Sequence, residues 1–91
     1  MHKFLTDEEL DAISKRVEAA QSGPWKSFVE GRDHTSGSNF IRTGVAESRG
    51  DDIELNGATV EDQDFIAAAR QDVPSLLAEI RALKAILVSG K

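Results

Sequence analysis

Residues 61–88 read EDQDFIAAARQDVPSLLAEIRALKAILV. This stretch decides the fold, because it carries two helical patterns in a row with a proline between them. Thr59 is placed to cap the first, with Asp62 at the reciprocal position of a capping box. Glu61, Asp62 and Asp64 favour the positive end of that helix, and Phe65, Ile66 and Ala69 are expected to face inward. Pro74 removes a backbone donor and biases Val73 away from helical geometry. The sequence therefore predicts a break at Asp72-Val73 and a fresh helix from Pro74, with one helix kinked at Pro74 as the alternative. Leu76, Ile80, Leu83 and Leu87 follow a 4-3-4 spacing, the pattern of a helical seam. Leu77 and Ile86 widen the stripe, Arg81 and Lys84 suit the negative helix end, and Gly90 stops it.

Working outward, the N-terminal segment also reads as helix. Thr6 and Glu9 form a capping box, with Leu5 and Leu10 at the staple positions. Leu10, Ile13, Val17 and Ala20 recur at helical spacing, and Ser22-Gly23-Pro24 ends the helix near Gln21. Trp25 to Gly31 reads as a strand, with Trp25 packed at its corner and the indole N–H directed to a carbonyl. Gly31 to Ser38 is loop, and Asn39 to Thr43 a second strand pairing with the first as a hairpin. Gly44 to Asp52 is a second loop. Ile53 to Leu55 is a short third strand ended by Asn56-Gly57. Helix, three antiparallel strands and two helices make one α+β domain over residues 1–91, with the helices on one face of the sheet.

A chain of 91 residues has little core to spare. It has no cysteine, so disulfides and thiol chemistry are excluded. The net charge of −5 argues against a general nucleic-acid binder, and four phenylalanines, one tryptophan and no tyrosine offer little for base stacking. No segment has the pattern of a signal peptide or a membrane span. These readings predict a soluble cytoplasmic protein.

Two regions stand out as candidate sites. The seam Leu76, Ile80, Leu83 and Leu87 is more apolar surface than a small sheet covers, so it points to a dimer or tetramer. The second is the loop Arg32-Asp33-His34-Thr35-Ser36-Gly37-Ser38, with Arg42 and Arg49 in neighbouring segments. Arginine and exposed backbone N–H groups can form an anion-binding concavity, so Arg32, Asp33, His34, Arg42 and Arg49 are candidate contacts for a nucleotide-like or phosphorylated ligand. The loop matches neither a Walker motif nor a dinucleotide fingerprint. His34, Asp33 and His2 have no metal-ligand spacing, and no Gly-x-Ser-x-Gly elbow is present. Neither a metal nor a cofactor is expected, and nothing in the sequence specifies an enzyme. Arg49-Gly50-Asp51 matches a cell-adhesion tripeptide by coincidence.

Ala20-Gln21-Ser22-Gly23-Pro24-Trp25, together with Asp64-Phe65-Ile66-Ala67-Ala68-Ala69-Arg70 and Leu76-Leu77-Ala78-Glu79-Ile80, resembles the ead family of lambdoid early-region accessory proteins. The middle of the chain has no counterpart in that family, which offers no catalytic residues to carry over. The resemblance implies a small phage or prophage accessory protein, oligomeric and non-enzymatic. The sequence thus predicts a homo-oligomer that works by binding another macromolecule, with sequestration of a small anionic ligand as the alternative.

Overall fold

The computed structural model of the chain describes residues 4–89. His2 and Gly90, singled out above, lie outside them. Helix α1 spans Asp7–Ala19. It begins where it does because the Thr6 hydroxyl accepts from the Glu9 N–H at 3.1 Å while the Glu9 carboxylate accepts from the Thr6 N–H at 2.7 Å. Strands β1 (Trp25–Phe28) and β2 (Phe40–Thr43) pair antiparallel, with Trp25 opposite Thr43 and Phe28 opposite Phe40. A short 3-10 turn, Ala46–Ser48, follows. Helix α2 then runs from Val60 to Ser89, started by a second box in which Thr59 and Asp62 exchange side-chain-to-backbone bonds of 3.0 and 3.1 Å.

The sheet has two strands, not the three expected. Ile53 meets Ile41 in a single bridge, through bonds of 2.8 and 2.9 Å. The residues around it are committed elsewhere. The Asp51 N–H donates to the Gln21 side chain, the Asp51 carbonyl accepts from the Thr43 hydroxyl, and the Asn56-Gly57 turn follows at once. β1 stops at Phe28, short of Gly31, because the Val29 N–H is taken by the Asp33 carboxylate at 2.8 Å and a turn closes there.

The expected break at Asp72-Val73 is also absent: α2 is one helix of 30 residues with Pro74 inside it. A proline there costs a helix about 3 kcal/mol. Contacts around it hold the helical course. Arg70 Nε donates to the Gln21 carbonyl at 2.9 Å. The Gln71 amide accepts from the Trp25 N–H at 2.6 Å and donates to its carbonyl at 3.2 Å, as a neighbouring strand would. One turn beyond the proline, Leu77 is buried.

The sheet lies against the first half of α2, and α1 packs antiparallel on α2 rather than on the sheet. Arg81–Asp11 and Lys84–Asp7 ion pairs, both 2.9 Å, line up the two helices. The core is small: Leu10, Val29, Ile41, Ala67 and Leu77, with Thr43 and Gln63 buried beside them. A radius of gyration of 16.7 Å exceeds the roughly 12 Å of a compact domain this size. The cause is α2 itself, which at 1.5 Å per residue is about 45 Å long. Among the described residues no helix is long and apolar enough to cross a membrane.

Candidate functional site

Successive helical residues turn by about 100°. On that wheel Gln63, Ala67 and Gln71 point to the sheet, while Leu77, Arg81 and Lys84 point to α1. The remaining side of α2 carries Phe65, Leu76, Leu83 and Leu87 within an arc of about 40°. They are 73%, 60%, 51% and 74% exposed. Ile86 and Val88 are exposed beside them. Three of the four seam residues read from the sequence are thus open and aligned. The fourth, Ile80, is half-buried and turned toward the N-terminal segment, where it lines a groove of about 420 Å³ with Leu5, Lys84, Leu87 and Val88.

Phe65 was expected to face inward, and it does not. The sheet meets the opposite side of the helix, through glutamines. Gln63 Nε2 donates to the Ser27 hydroxyl at 2.7 Å and to the Phe28 and Phe40 carbonyls at 3.2 Å. The signal available in the sequence was polar: Gln63, Ala67 and Gln71 at four-residue spacing.

The loop residues do not form one anion site. Arg32 clasps both oxygens of Asp64, at 2.9 and 3.0 Å, and also reaches Asp33. This guanidinium holds the Asp64 carboxyl down at about 2, with the Ser27 hydroxyl adding to the effect. Asp33 is held low first by the Val29 N–H and then by Arg32. Both residues therefore tie the loop to β1 and α2. Arg49 pairs with Asp52 at 2.7 Å in the loop that leaves Thr43, at the opposite end of the hairpin from residues 31–38. Those ends are about 10 Å apart, three strand steps. The two loops do not converge.

His34 Nδ1 lies 2.8 Å from the Ser36 carbonyl, which can only accept, so Nδ1 carries the proton. Nε2 is buried without a hydrogen-bond partner among the described residues. Asp33, His34 and the serines are not assembled for nucleophilic chemistry, because the Asp33 carboxylate points to Val29 and Arg32 instead. Among the described residues no group of three acidic or histidine side chains could hold a metal ion.

Arg42 and His34 do come together, on a surface the sequence did not reveal. Strand alternation sends Trp25, Ser27, Ile41 and Thr43 to the α2 side and Lys26, Phe28, Phe40 and Arg42 to the other. On that outer face the Phe28 and Phe40 rings stack, with centroids 5.1 Å apart, and His34 stacks on Phe40 at 5.7 Å. The charged ends of Lys26 and Arg42 lie 5.1 and 5.0 Å from the centre of the Phe28 ring. Comparison with protein-family models, curated proteins and solved structures gives no match.

Proposed function

We propose that this chain is a non-catalytic accessory protein that self-associates through α2 and, once assembled, binds another macromolecule. The observation that carries the reading is the aligned stripe of Phe65, Leu76, Leu83 and Leu87, open on the side of α2 that neither the sheet nor α1 covers. The occupant proposed for it is a second copy of the same helix. From Phe65 to Leu87 the stripe runs about 33 Å along the helix, 22 residue steps. A partner of equal length and matching chemistry is supplied by the chain itself, through a two-fold contact in which each stripe meets its own copy. The small core favours the same reading, since a domain with so few buried side chains gains stability from association. Covering side chains that are already partly shielded is worth about 1–2 kcal/mol each. Four from each copy fall in the range of an association cost of roughly 4–15 kcal/mol. The partial resemblance of the Gly23-Pro24-Trp25 and Phe65-Ile66-Ala67-Ala68-Ala69 blocks to ead-type accessory proteins is in keeping with this reading.

Leu76→Asp combined with Leu83→Asp tests the proposal. Both side chains are exposed, so the substitutions leave the core intact. Light scattering after size exclusion should give a wild-type mass at a multiple of 9.9 kDa and a variant mass of one chain, with helical circular dichroism retained. A folded variant with the same mass as the wild type would overturn the proposal.

A further inference from the structure

On the outer face of the sheet Lys26 stands directly opposite Arg42. Like charges facing each other across an antiparallel pair destabilise it. Both lie close to the centre of one ring, so they are no more than about 10 Å apart, roughly a Debye length at 0.1 M salt. The chain has 16 acidic side chains to offer them. Arg32, Arg49, Arg81 and Lys84 each have a carboxylate partner, whereas among the described residues neither Lys26 nor Arg42 makes an ion pair, and Asp33, which feels the Lys26 charge, is already held by the Val29 N–H and Arg32. A cation pair set together, whose one interacting carboxylate is already engaged by Arg32, is open to an anion that comes from outside.

The surroundings narrow the class of that anion. An arginine fork beside a lysine point charge suits a phosphate dianion, which can use both. Phe28 and Phe40 line a depression of about 410 Å³ together with Asp33, His34, Gly37 and Glu54; the Asp33 carboxylate there is held by Arg32 and the Val29 N–H. That volume is within the usual range for a small-molecule site. The Glu54 carboxylate makes no hydrogen bond among the described residues and is an acceptor for a hydroxyl or amino group. We infer that Lys26 and Arg42 bind the phosphate of a small phosphomonoester, whose donor-bearing body lies in this depression toward Glu54. The assignment replaces Arg32 and Arg49 with Lys26 and is independent of self-association, because the α2 stripe is on the other side of the molecule.

Thermal shift and titration calorimetry at constant ionic strength test it, with adenosine monophosphate, inorganic phosphate and adenosine as probes. Adenosine monophosphate and phosphate should raise the melting temperature by a few degrees or more, the nucleotide at lower concentration, and adenosine should not. Arg42→Gln should weaken nucleotide binding at least tenfold. Lys26→Glu turns the like-charged pair into an opposite one, so it should raise the melting temperature in ligand-free buffer and abolish the response. The inference is overturned if neither phosphate-bearing probe stabilises the protein beyond sodium chloride of equal ionic strength, or if the variants respond as the wild type does.

Discussion

Gln63 does at the residue scale what an apolar core residue cannot: it joins helix to sheet through backbone carbonyls. Replacing it by leucine keeps much of the volume but strips donors from Ser27, Phe28 and Phe40. The expected loss is about 1–3 kcal/mol, read from urea denaturation. Arg32 is a second case. The loop's composition marks it as an anion ligand, yet its partner Asp64 is 32 residues further on and could not be assigned from the sequence. Because Asp64 titrates at about 2 in the fold and near 3.9 in an unfolded chain, ionisation favours the folded state. That contribution is present above about pH 4 and is lost as the pH falls toward 2. Asp64→Asn should therefore lower the melting temperature at pH 7, with the gap from wild type closing between pH 4 and pH 2. A gap that stays constant with pH would show that the Arg32 clasp does not stabilise the fold.

Among the elements, Pro74 is the sharpest case. Local rules place a helix boundary there, and the glutamine and arginine contacts to Trp25 and Gln21 override them. Pro74→Ala restores the missing donor and is expected to stabilise the protein by up to about 3 kcal/mol, visible as a higher melting temperature. A lower one would mean that the ring's packing outweighs the helix penalty. The turn after β2 has the opposite requirement. Gly44 has φ +70°, and a Cβ there would strike the Ser48 backbone. Gly44→Ala should cost more than about 1 kcal/mol in the same denaturation assay. Both helix caps and the hairpin were legible because their signals are local, in the Thr6–Glu9 and Thr59–Asp62 boxes and the apolar pairs Phe28-Val29 and Phe40-Ile41. The third strand was not, since Ile53 pairs only as far as its neighbours' other bonds allow. The inward face of α2 was misread because Phe65 and Ile66 outweigh Gln63 on any hydrophobic pattern. The outer-face site needed the strand register, which alone sets Lys26 opposite Arg42.

At the scale of the whole molecule, the open side of α2 is the feature still to be accounted for. The sheet and α1 cover two sides of a 30-residue helix and leave Phe65, Leu76, Leu83 and Leu87 on the third. Of the seam residues legible in the sequence, Ile80 is half-buried in the groove against the N-terminal segment, which Leu87 also lines while staying exposed. If the remaining stripe is the subunit contact, association is driven by apolar burial and should change little with added salt, unlike the exposed Arg81–Asp11 and Lys84–Asp7 pairs between the helices. Sedimentation equilibrium of the wild-type protein across the micromolar range, at low and high salt, tests this most directly. The account predicts a mass at a multiple of 9.9 kDa that is retained in high salt. A mass of one chain at every concentration would contradict it.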